Sequence, residues 1–135
     1  MRKLLTGFMA SALLAACCAT SAAAEIRLSG KWRGDGEALG SDGSAYRVRC
    51  KMEVRIVGAR TYKFNGKCSS SKGTTTGEGT LKKIGAGRYT GDVKGMTVGK
   101  ASSGKLDVRA KGQRIAVTAA SEEGRLFVLM RKSGE

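Results

Sequence analysis

The sequence has no histidine and no proline, only 11 acidic residues against 25 basic ones, and few aromatics: one Trp, three Tyr and three Phe. Each shortage excludes something. Without histidine, the commonest general base and every His-ligated metal site are gone. The four cysteines have no CxxC spacing, so they form neither a zinc cluster nor a thioredoxin-type redox pair. No proline-rich linker divides the chain. No phosphate loop or dinucleotide fingerprint occurs. Gly77-x-Gly79 has no helix after it and reads as a strand irregularity. Ser69-Ser70-Ser71 has no base beside it and reads as a loop. Asp35 and Glu37 share a strand face, with Gly34 and Gly36 turned the other way. A charged, solvated face explains that pair better than acid–base work does. The sequence therefore points away from an enzyme and implies no cofactor and no metal.

One long apolar run is present, and it lies at the N-terminus. Arg2 and Lys3 form a positive head, Leu4 to Ala16 is largely apolar, and small residues lead to Ala22-Ala23-Ala24. This is the pattern of a secretory signal peptide over 1–24, too short to span a membrane comfortably. Two exits compete. Ala22-x-Ala24 suits a general signal peptidase and makes Glu25 the first residue. Leu14-Ala15-Ala16-Cys17 resembles a bacterial lipobox and makes Cys17 an acylated first residue. Either exit predicts export: to the periplasm or outer membrane of a Gram-negative bacterium, or beyond it. Residues 25–135 are then a single domain.

Those residues read as short alternating segments between glycine-rich turns, which predicts an all-β antiparallel meander. Eight strands are expected, near 28–38, 45–57, 61–69, 74–83, 87–95, 105–111, 113–120 and 125–132. The second is the clearest. Tyr46, Val48, Cys50, Met52, Val54 and Ile56 fall on one face, and Arg47, Arg49, Lys51, Glu53 and Arg55 on the other. In the third, Tyr62, Phe64, Gly66 and Cys68 alternate with Lys63, Asn65 and Lys67.

A loop at Gly58-Ala59-Arg60 fixes how these two strands pair. Val57 then faces Thr61, Val54 faces Phe64, and Cys50 faces Cys68. A one-residue slip would turn every apolar side chain to the wrong face. In an oxidising compartment the two cysteines should form a disulfide. The same reasoning builds the C-terminal hairpins. Leu106 and Val108 should face Val117 and Ile115 across a Lys111-Gly112 turn. Ile115, Val117 and Ala119 should face Met130, Val128 and Leu126.

Gly30-Lys31-Trp32 on the first strand resembles the GxW start of the lipocalin and avidin (calycin) superfamily, and Leu28-Ser29-Gly30-Lys31-Trp32 is similar to an avidin first strand. The resemblance implies a barrel with Trp32 plugging one end or anchoring its core. A barrel-like fold or a strongly curved sheet is therefore expected, with an open sandwich as the alternative. A wider pattern runs through Trp32-Arg33-Gly34-Asp35-Gly36, Arg49-Cys50, Gly66-Lys67-Cys68 and Gly85 to Gly91 around Tyr89. It resembles a group of small exported β-proteins of Gram-negative bacteria, and implies fold and compartment rather than an activity.

From Glu25 onward, 23 Lys and Arg stand against 11 Asp and Glu, a formal charge of about +12. In the hairpin register Lys51 faces Lys67 and Arg55 faces Lys63, and opposed like charges cost stability. The face of Arg47, Arg49, Lys51, Arg55, Lys63 and Lys67 is thus a candidate anion-binding surface. Its expected partners are anionic lipid, lipopolysaccharide or an acidic polymer. Scarce exposed aromatics argue against nucleic acid. Two further readings stand beside this one: a calycin-like carrier of small apolar ligands or protease inhibitor, and a structural envelope lipoprotein held by Cys17. Glycine-rich strands are expected to leave little wall for a large cavity.

Overall fold

The computed structural model describes residues 27–97 and 100–135; the expected export segment, Cys17 included, lies outside them. Eight antiparallel strands run in sequence order: β1 (Gly30–Gly40), β2 (Ala45–Gly58), β3 (Thr61–Ser70), β4 (Gly73–Gly85), β5 (Arg88–Thr97), β6 (Lys100–Lys111), β7 (Arg114–Ser121) and β8 (Gly124–Gly134). Each pairs with the next, and β1 pairs with β8, so the sheet closes into a barrel. Closure leaves no unpaired edge. It also decides among the expected architectures in favour of the barrel.

The alternation seen in the sequence becomes an inside and an outside. Val48, Cys50, Met52 and Val54 of β2 are buried, and the charged residues between them are exposed. β2 and β3 pair as the hairpin argument requires, with Val54 opposite Phe64 and Cys50 opposite Cys68. Cys50 and Cys68 form a disulfide, with Cα atoms 4.1 Å apart. A bridge closing a loop of this length stabilises by about 3 kcal/mol.

Two details differ from expectation. At the β2–β3 turn, Gly58 rather than Val57 lies opposite Thr61, and the register shifts between Ile56 and Gly58. Val57 is the extra residue of a bulge, and both Val57 and Ile56 are exposed. In the β6–β7 hairpin, Lys111 pairs with Arg114 around Gly112 and Gln113. Val108 therefore faces Val117 and Leu106 faces Ala119, two residues away from the expected pairing. Gly112 has φ 62°, which that tight turn requires. The β7–β8 register is as expected, with Ile115, Val117 and Ala119 opposite Met130, Val128 and Leu126.

The barrel interior has two unlike halves. One end carries the chain start and the β2–β3, β4–β5 and β6–β7 turns. There the inward side chains are large: Trp32, Val54, Leu81, Tyr89, Val108, Ile115 and Val128, each at most 3 % exposed, capped by Leu28. The other end carries the β1–β2, β3–β4 and β7–β8 turns. Many of its inward residues are small: Gly66, Gly77, Gly95, Ser102, Gly104 and Ala119.

Candidate functional site

The small inward residues leave a cavity of about 290 Å³ in the second half of the barrel. Met52, Phe64, Leu106, Val117 and Met130 line its deeper part, together with the Cys50–Cys68 bridge. Tyr46, Ser70, Thr75, Ser102 and Ser121 line it toward the strand ends that carry the turns. The site thus grades from an apolar floor to hydroxyl groups at the mouth. At the rim, Lys72 Nζ lies 5.1 Å from the centre of the Tyr46 ring and donates to Ser44 Oγ at 2.9 Å. Ser44 donates both its hydroxyl and its amide to Asp42 Oδ1, which holds that carboxyl below the usual carboxylate range. The β1–β2 turn is fixed in this way beside the mouth.

The cavity is small, in keeping with the expectation that glycine-rich strands leave no large one. Backbone supplies the wall, and the missing side chains are what leave the space empty. The sequence signal was the run of Gly, Ser and Ala at inward positions of β3 to β7.

Trp32 lies outside the cavity, in the packed half. It is 1 % exposed, and its Nε1–H donates to the Leu28 carbonyl at 2.8 Å. Lys132 Nζ sits 5.8 Å from the ring centre and donates to the Arg27 carbonyl at 3.0 Å. The chain entering β1 is therefore tied across the closed end, with Met52 opposite Trp32 in register. A partly buried Tyr62 meets Tyr89 edge to face, ring centres 5.5 Å apart, on the same floor.

The expected basic face is present but is not uniform. Arg47, Arg49, Lys51, Arg55, Lys63 and Lys67 all point outward and are exposed. Lys51 lies opposite Lys67, and Arg55 opposite Lys63. On the other edge of β2, however, Glu37 faces Arg47 and Asp35 faces Arg49. Asp35 Oδ1 accepts from Arg49 Nε at 3.2 Å, an exposed ion pair. The six cations therefore divide: Arg47 and Arg49 face acids across the strands, whereas Lys51 faces Lys67 and Arg55 faces Lys63, with Glu53 between them on β2.

No protein-family model matches the chain, and no curated protein is similar to it in sequence. Designed proteins are among the solved structures with the same fold. A redesigned β-barrel bound to DFHBI shares 12 % identity at a TM-score of 0.64, over 78 % of this chain and 94 % of that one. A second redesigned β-barrel shares 13 % identity at a TM-score of 0.61, over 78 % and 91 %. A de novo designed fluorescence-activating β-barrel shares 19 % identity at 0.55, over 83 % and 97 %. At these identities the likeness is one of fold.

Proposed function

We propose that this protein is an exported, non-enzymatic carrier that holds a small amphipathic molecule inside its barrel. The observation that carries the reading is the one-sided cavity, closed by packed side chains around Trp32 and graded from Met52 and Phe64 to a hydroxyl-lined mouth. Small-molecule sites occupy about 300–1,000 Å³ and combine an apolar lining with a few orienting polar groups. A cavity of about 290 Å³ stands at the small end of that range. Its ligand has a compact apolar body and one hydrogen-bonding head at the level of Ser70, Ser102 and Ser121. Likeness in fold to a redesigned barrel that is bound to DFHBI supports the reading.

The test uses the neutral dye N-phenyl-1-naphthylamine. Its fluorescence should rise saturably, with one dye per barrel. Ala119→Trp places a large ring in the cavity wall and should abolish the rise while the protein stays folded. A dye signal equal in the variant and the parent would refute an interior site.

Export is supported by the residues 1–24 and by a disulfide, which persists in oxidising compartments. Intact mass of protein from its own cell envelope is expected to start at Glu25, or at an acylated Cys17, and to gain two hydrogen atoms on reduction. A mass that retains Met1 would refute export; a mass unchanged by reduction would refute the bridge.

A further inference from the structure

Barrel closure assembles a feature that no single hairpin contains. Lys67 of β3 lies opposite Lys51 of β2, and Lys51 lies opposite Arg33 of β1. Across the closing pair, Arg33 lies opposite Arg131 of β8. Arg131 then faces Arg114 of β7, which faces Lys111 of β6. Six cations thus stand in one unbroken row across six adjacent strands. All six are exposed on the outer surface. At a strand spacing of about 4.8 Å the row is roughly 24 Å long.

No acid interrupts the row, and among the described residues none of its members has a salt-bridge partner. Of the acids near the row, Asp35 is paired with Arg49, Asp107 with Arg109 and Glu135 with Lys132, while Glu53 stands in the adjacent row between Lys31 and Asn65. Directly opposed like charges destabilise a sheet, and this arrangement repeats that opposition at five consecutive pairs. A fold free of other demands would place acids there, as it does in the next row, where Asp35 separates Arg49 from Leu129.

We infer that this row is a binding track for a linear acidic polysaccharide, a chain with one carboxylate or sulfate per sugar. Three features select that class. The row wraps a convex barrel over six of its eight strands, so a flat lipid surface would meet only part of it, whereas a flexible chain can follow it. The row and the row beside it, from Arg49 through Leu129 to Arg109, contain no aromatic side chain. A single-stranded nucleic acid would lack stacking platforms there. The closely spaced cations also match a polymer with closely spaced single charges. The track lies outside the barrel and is independent of the interior site.

The test is binding of polygalacturonate to the full protein, read by calorimetry. Affinity should fall at least about tenfold between about 50 and about 200 mM salt, as counterions released on binding are restored. The triple variant Arg33→Gln/Lys51→Gln/Arg131→Gln removes the centre of the row. The control Arg55→Gln/Arg60→Gln/Arg88→Gln removes the same charge elsewhere. The row variant should lose binding by about tenfold more than the control, since it breaks most of the contacts on which the salt dependence rests. It should melt no lower than the parent, and naphthylamine binding should be unchanged. Equal losses in both variants would mean that net charge alone attracts the polymer, and would overturn the track. Tighter binding of oligo-dT, or of phosphatidylglycerol vesicles, through the same residues would overturn the polysaccharide assignment. If the triple variant fails to fold, Arg33→Gln alone decides the matter in the same assay.

Discussion

Trp32→Ala is expected to lower the stability of the barrel by about 3–5 kcal/mol, the cost of deleting a large buried aromatic side chain. The indole is 1 % exposed and fills the closed end between Leu28 and the floor residues. Its loss leaves a void there and strips the Leu28 carbonyl of its buried donor. It also removes the surface against which Lys132 lies while holding the Arg27 carbonyl. Small domains are stable by only about 5–15 kcal/mol, so this one change removes a large part of the total. Urea unfolding followed by circular dichroism gives the number. Trp32→Phe separates the two contributions, since it keeps most of the ring and loses the N–H. It should cost less than half as much as the alanine variant, and it should still bind the naphthylamine dye because the cavity lies in the other half of the barrel. A loss below about 1 kcal/mol for Trp32→Ala would mean that the closed end is held by β-strand pairing and not by this side chain.

The strands and the first disulfide-bearing hairpin were legible because each rests on local order. Strict alternation in β2 assigns faces, and a short turn joins it to β3, so only one register puts Val54 against Phe64 and Cys50 against Cys68. The β6–β7 pairing was misread by two residues for a related reason. A slip of two keeps every side chain on its own face, so alternation cannot detect it; only the turn decides, and the turn is Gly112-Gln113. Val57 was misplaced because a bulge has no signature in the apolar pattern.

The surface features were harder to read because they depend on closure. β1 and β8 are joined by no turn, and nothing local says that Arg33 lies opposite Arg131. Sequence reasoning therefore found the pairs Lys51–Lys67 and Arg55–Lys63 but not the six-strand row. Nor does local order show that Glu37 and Asp35 lie beside Arg47 and Arg49, since that follows from the β1–β2 register. Composition hid the cavity in a similar way. At inward positions glycine is a shortage of filling, and composition alone does not say which glycines point inward.

Glycine also decides whether the sheet closes, and Gly91→Val tests this with the largest effect expected of any single substitution. Gly91 lies on β5 opposite Leu81 of β4, on the inward face. A Cβ at this position would run into the carbonyl oxygen of Thr80. The obstacle is backbone, so no side chain can swing aside to relieve it. Gly36 on β1 stands against the Phe127 carbonyl and Gly79 on β4 against the Asp92 carbonyl in the same way. These are the places where strands coil tightly enough for eight of them to meet, which designed barrels achieve with glycine kinks. Valine at position 91 must push β4 and β5 apart, and β5 also pairs with β6. The expected loss exceeds about 4 kcal/mol, in the range reserved for broken cores and backbone strain. On thermal melting the variant should show no cooperative transition near that of the parent, and it should lose dye binding because the cavity wall depends on the same strands. Gly85→Ala is the matched control. It lies in β4 at the turn into β5, and a Cβ there meets nothing within 4 Å. Its stability should stay within about 0.5 kcal/mol of the parent. Similar stability for both variants would mean that the barrel tolerates a wider β4–β5 spacing, and that closure rests on the packed half around Trp32 alone.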